Sequence, residues 1–152
     1  MNNPNPDSKP VVDAAKFVFA GNWSGELNEG KASVESKVIT KVWQDRMTLV
    51  DPEKYKKNVA IWSHLNDKID LVDFQNKVAY ELKVSGKKPG HEFYKNLFKV
   101  LIYNQHHNIT KLERLVFITE SKGIDEVEKG LGKAAADFLM QFNITVELAR
   151  LD

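Results

Sequence analysis

Ile69-Asp70-Leu71-Val72-Asp73-Phe74-Gln75-Asn76-Lys77-Val78-Ala79-Tyr80-Glu81-Leu82-Lys83-Val84 decides how the chain folds. Two short runs rich in β-branched and aromatic residues flank the polar Gln75-Asn76-Lys77, the pattern of two strands joined by a turn. Side chains alternate across a strand, so Glu81 and Lys83 share one face while Tyr80, Leu82 and Val84 share the other. A loop centred between Gln75 and Asn76 sets Leu71 against Tyr80 and Asp70 against Glu81, with facing Cβ atoms about 4.5–5.5 Å apart. A loop centred on Asn76 itself would turn Asp70 to the other face unless a bulge restored it.

In the first register one cluster holds Asp70, Glu81 and Lys83. Two carboxylates that close repel each other unless a cation intervenes, and hard divalent ions such as Mg²⁺ take oxygen ligands of this kind. A neighbouring ammonium can orient a metal-bound water or neutralise charge developing on a phosphate, so the cluster suits phosphodiester hydrolysis. The same letters also describe a solvated hairpin face with an ordinary Glu-Lys pair. Asp73 lies on the opposite face beside the turn and needs no catalytic role.

An aspartate opening a hydrophobic strand, then a hairpin, then Glu81-Leu82-Lys83 in the next strand resembles the PD-(D/E)xK nuclease superfamily, the restriction-endonuclease-like fold. Ile69 stands where a proline is usual, so Asp70 carries the first half of the motif alone. The resemblance implies an αβββαβ core and Mg²⁺-dependent cleavage of DNA. It also implies metal ligation by Asp70 and Glu81, with Lys83 orienting water. The first core helix of this superfamily commonly carries a glutamate that completes the metal cluster. Glu35 is the candidate here, with Glu29 and Glu26 behind it.

Downstream of the hairpin, Ser85-Gly86-Lys87-Lys88-Pro89-Gly90 reads as a loop whose lysines can approach a phosphate backbone. His91 to His107 is a helix-length segment with Phe93, Leu97, Val100, Leu101 and Asn104 on one stripe and Lys95 and Lys99 on another, Tyr103 alongside. From Lys83 through Lys111 there are six lysines and one acid, Glu92. Lys87, Lys88, Lys95, Lys99 and Tyr103 are therefore the expected nucleic-acid surface, and His106 and His107 the helix cap. Leu115 to Thr119 reads as a buried strand. Asp125 to Met140 reads as a helix weakened by Gly130 and Gly132, and Ile144 to Leu148 as an edge strand.

Upstream, residues 1–10 carry no apolar anchor and read as a flexible arm, leaving residues 11–152 as the domain. Val11 to Ala20 suits a short helix or a strand. Gly30 to Arg46 is a helix with Ala32, Val34, Val38 and Val42, together with Ile39 and Trp43, as its apolar face. Asp51-Pro52-Glu53 looks like the start of a short helix running to about Asn58, with Val59 to Ser63 as the first strand.

The 152 residues fit one domain with a sizeable core. At 42% hydrophobic and 28% charged the balance is globular, and the absence of cysteine excludes disulfides, thiol catalysis and thiolate metal sites. Four histidines argue against a His-rich centre. There is no signal peptide, and no apolar run approaches the ~18 residues of a membrane span, so a cytoplasmic protein is expected. Walker, dinucleotide-binding, nucleophile-elbow and HExxH patterns do not occur. The expectation is a single-domain α/β protein of restriction-endonuclease-like architecture. Its expected activity is that of a Mg²⁺-dependent DNA endonuclease, Mn²⁺ substituting, either a small restriction enzyme or a junction or repair nuclease. A cutter of both strands of a duplex would act as a homodimer. The alternative is a catalytically idle nucleic-acid-binding or assembly module of the same fold.

Overall fold

The hairpin forms because its turn closes on one buried carboxylate. In the computed structural model, which describes residues 5–25, 29–131 and 133–152, Asp73 is fully buried and accepts from the backbone N–H of Gln75 and Asn76, both at 3.0 Å, and from Asn76 Nδ2 at 2.8 Å. Lys54 Nζ lies 3.7 Å from the same group, and Lys77 takes the left-handed conformation that completes the turn, with φ 58°. Strand β2 (Lys68–Asp73) is thereby locked against β3 (Val78–Leu82) with Leu71 opposite Tyr80, the register that brings Asp70 to Glu81.

Strand β1 (Tyr55–Ala60) pairs antiparallel with β2, and β4 (Arg114–Thr119) and β5 (Thr145–Arg150) add in parallel beyond β3. The five-stranded mixed sheet has the order β1-β2-β3-β4-β5. Its two parallel steps are bridged by α3 (Pro89–His106), and by α4 (Ser121–Gly130) with α5 (Lys133–Met140). Both crossovers step the same way along the sheet, and connections of one hand then leave their helices on the same face. That face is packed with Phe93, Leu97 and Val100 of α3, Ile124 and Val127 of α4 and Leu139 of α5. The other face is covered by α1 (Lys9–Asn22) and α2 (Glu29–Val50), through Val11, Ala15 and Val18 and through Ile39, Trp43 and Met47. Trp43 is buried and its indole N–H donates to Val11 O at 3.1 Å, tying the two helices together.

Alternation breaks once in the β1–β2 ribbon. Ile69 and Val72 belong to the α3-side core although one is odd and the other even, while Leu71 lies on the α1–α2 side. The break falls where Asn58 has φ 52°, a left-handed conformation that Asn tolerates better than most residues. Gln44 of α2 spans it, its Nε2 donating to Asn58 Oδ1 at 3.0 Å and to Asp70 O at 2.7 Å.

Four expectations are corrected. The helix expected from Asp51 to Asn58 is a turn followed by β1: Asp51 Oδ1 does accept from Lys54 N at 3.1 Å, but Tyr55 is buried and pairs with Asp73, so pairing with β2 overrides the cap. The helix expected from Asp125 to Met140 is interrupted after Gly130, where Leu131 leaves helical geometry. In α2 the buried face is Ile39, Trp43, Gln44 and Met47, whereas Val34, Val38 and Val42 are exposed. The arm expected over residues 1–10 is held down where it is described: Arg114 pairs with Asp7, and buried Ser8 donates to Glu147 Oε2 at 3.0 Å. Residues 1–4 lie outside the described part.

Candidate active site

Asp70, half-buried, joins the buried Glu81 and Lys99 in one polar cluster on the α3 side of the sheet. Glu81 is 3% exposed and its Oε1 accepts from Lys99 Nζ at 2.7 Å and from Asp70 N at 3.4 Å. Asp70 Oδ2 accepts from Leu82 N at 3.1 Å, so the aspartate side chain folds back over the end of β3 while its main chain is held from below by Gln44. Lys99 is 8% exposed and also donates to Lys68 O at 2.7 Å. Each charge is thus fixed by main-chain contacts on β2 or β3, which suits groups that must keep their geometry as a substrate arrives.

Burial, and then the charge of Asp70, push the Glu81 carboxyl well above the usual carboxylate range, against the opposing pull of Lys99. A cation placed between the two acids would relieve both effects at once.

Lys83 emerges beside the cluster rather than within it. Its backbone N–H continues the sheet to Ile118 O at 2.9 Å, and its ammonium lies 3.6 Å from Glu92 Oε1 on the first turn of α3. Gly86 lets the following loop close over it, since a Cβ there would sit 3.3 Å from Lys83 Cγ. The loop is anchored at Ser85, left-handed at φ 54°, whose N–H donates to Glu120 Oε1 at 2.7 Å. Glu120, at the end of β4, had no signal in the sequence; only the parallel pairing of β3 with β4 brings it there.

The remaining candidates separate. Glu35 is not with the acids: its Oε2 accepts from Ser24 N at 3.0 Å, which holds its carboxyl below the usual range. It lies nine residues before Gln44, about 13 Å along the helix, and Gln44 is the α2 side chain that reaches Asp70. Glu26 lies outside the described residues, as does the side chain of Glu29. Lys99, expected on a nucleic-acid surface, is buried on Glu81. Tyr103 is also buried, hydrogen-bonded to Thr110 Oγ1 at 3.0 Å and stacked on His107 at 3.9 Å. Lys87 and Lys88 are exposed on the loop before α3, and Lys95 is largely exposed, 4.0 Å from Asp67. His107 caps α3, its Nδ1 2.8 Å from Tyr103 O, while His106 stacks on Trp62 at 4.5 Å.

Among the described residues no three His, Cys, Asp or Glu side chains gather into a group able to hold a metal ion. Asp70 and Glu81 are the residues that could share a Mg²⁺ ion, which keeps several waters and commonly takes only one or two carboxylates plus substrate phosphate oxygens. No helix among the described residues is long and apolar enough to cross a membrane. No protein-family model matches the chain, and neither a curated protein nor a solved structure matches it.

Proposed function

We propose that the protein is a Mg²⁺-dependent DNA endonuclease of the restriction-endonuclease-like fold, acting in the cytoplasm, and that Asp70 and Glu81 hold the ion. The observation that carries this reading is the Glu81 carboxyl held against the main chain of Asp70 and raised by the Asp70 charge, with the Lys99 ammonium already bound to it. The succession helix, three-strand meander, helix, strand within the chain supports the fold assignment, because it is the αβββαβ order that the motif implies.

A bound Mg²⁺ supplies charge for the scissile phosphate and a water of lowered pKa. The two acids orient that charge at one point on the sheet. Lys99 is the ammonium of the acid pair, and it can stay with Glu81 or turn toward phosphate charge as that charge develops. Lys83, on the rim and paired with Glu92, is positioned to meet the backbone of the nucleic acid as it enters, with Lys87, Lys88 and Lys95 continuing the basic surface.

The test is a panel of plasmid, linear duplex, single-stranded and branched DNA with Mg²⁺ or Mn²⁺ against EDTA. Cleavage is expected only with the metal, and it should vanish in Asp70→Asn and Glu81→Gln. Lys99→Met should lower the rate more than Lys83→Ala. An intact panel at high protein concentration would instead support a catalytically idle nucleic-acid-binding module, a reading favoured by one observation: Glu81 is already engaged by Lys99 at 2.7 Å.

A further inference from the structure

Two ion pairs join α3 to the candidate site, and an uncharged polar side chain lies between them. Glu92 on the first turn reaches Lys83 at 3.6 Å, and Lys99, two turns on, reaches Glu81 at 2.7 Å. Asn96 lies about 6 Å along the axis from Glu92 and about 4.5 Å short of Lys99, turned from them by about 40° and 60°. On its other flank, about 60° away, Phe93 packs on Phe117 of β4 with ring centroids 5.6 Å apart. Glu81 and Phe117 are register partners on β3 and β4. Bracketed by these contacts, Asn96 faces the sheet over that pair. It is 6% exposed, yet its carboxamide hydrogen-bonds to no other described residue. A buried amide without a partner lowers stability relative to an apolar side chain of the same size, so packing alone gives no reason for an asparagine here.

We propose that Asn96 is a substrate contact of the acid-pair site, its Nδ2–H donating to a non-bridging phosphate oxygen of the bound nucleic acid. The inference rests on the nuclease reading and adds a residue to it. Both ammonium groups that α3 links to β3 already have carboxylate partners, Lys83 with Glu92 and Lys99 with Glu81. The Asn96 amide is the donor on this stripe that gives up no partner when a phosphate arrives. Its bond to an ionised oxygen is charge-assisted, and being neutral it leaves the charge balance around Glu81 as it stands.

The test compares Asn96→Leu and Asn96→Ala with the parent chain on duplex DNA in Mg²⁺. Both variants should lose about 10- to 100-fold in kcat/KM. The melting temperature of Asn96→Leu, which keeps the volume and removes the unpaired amide, should stay at or above that of the parent. The contact itself is read by replacing each non-bridging oxygen of the scissile phosphate with sulfur in turn. One of the two substitutions should slow the parent more than it slows Asn96→Leu, because the variant has no contact left to lose. Variants that cut at the parent's rate would overturn the Asn96 contact and leave the nuclease reading standing. So would a sulfur effect identical in parent and variant, with Asn96→Leu melting well below the parent, since that assigns the amide to the fold. A parent chain that neither cuts nor binds DNA would overturn both, and that result needs no variant to be recognised.

Discussion

Glu81 is the residue in which the chain's competing demands meet. Because burial and Asp70 raise its carboxyl, the folded chain holds a proton that the unfolded chain has released, over the window between the ordinary carboxylate range and the raised value. Stability contributed by this group is therefore lost as pH rises through that window. Glu81→Gln removes the effect, so the melting temperature of the variant relative to the parent should climb between pH 5 and pH 8; a flat or falling difference would mean that the Lys99 pair outweighs desolvation. If the pair holds Mg²⁺ as proposed, the same proton must leave first, so Mg²⁺ binding should release protons and tighten with pH, measurable by calorimetry in buffers of different ionisation enthalpy. The meeting of Asp70 with Glu81 was legible in the sequence as one of two registers, and the turn closed on Asp73 is what selects it. The identity of the ammonium was not. Lys83 stands two residues from Glu81 and invites the pairing, but it leans to Glu92, while Lys99 arrives from a helix sixteen residues further on. Only the folded chain shows it: Asn96 and Tyr103, three before and four after it, are both buried, so Lys99 lies on an inward stripe of α3.

At the scale of elements, the hairpin depends on a turn closed by one side chain. Asp73→Ala removes three hydrogen bonds and leaves the freed N–H groups in a partly buried turn, which should cost about 2–4 kcal/mol, seen as a lower urea midpoint at unchanged slope. In the neighbouring ribbon, Asn58 sits in left-handed geometry. Asn58→Gly should be nearly neutral there, because relief of the backbone compensates for the missing hydrogen bond from Gln44, whereas Asn58→Val should cost about 2 kcal/mol or more; equal losses in a denaturation series would show that geometry at this position is not what the asparagine supplies. Elements defined by their own periodicity were legible, α3 and β4 above all. The segment from Asp51 was not, because its cap is real and only the partner strand makes Tyr55 to Asn58 extended. Nor could the sequence choose between the two apolar stripes of α2, since periodicity does not say which of them meets the sheet.

For the whole molecule, the basic surface is narrower than a lysine count suggests. Lys99 is committed to Glu81, which leaves Lys87, Lys88 and Lys95 as the expected partners of DNA phosphates. Neutralising these three together should flatten the dependence of DNA affinity on salt, by about 0.9 in the slope of log K against log salt for each phosphate no longer neutralised, while Lys99→Met leaves that slope in place. An unchanged slope in the triple variant would locate DNA elsewhere on the surface. The pair of parallel ladders also sets a timetable for folding. β2 and β3 are joined by a four-residue turn and can meet early, but β4 and β5 must each wait for a long crossover to close, at the entropic cost of bringing distant segments together. Val72→Ala in the hairpin should accordingly slow folding, and Val146→Ala on β5 should mainly speed unfolding; the reverse assignment in a chevron analysis would place the nucleus among the parallel strands. On this timetable Asp70 and Glu81 come together before α3 delivers Lys99. The nascent hairpin thus passes through a stage in which two acids face each other with no counter-charge, and a divalent ion or a proton captured at that stage would speed folding.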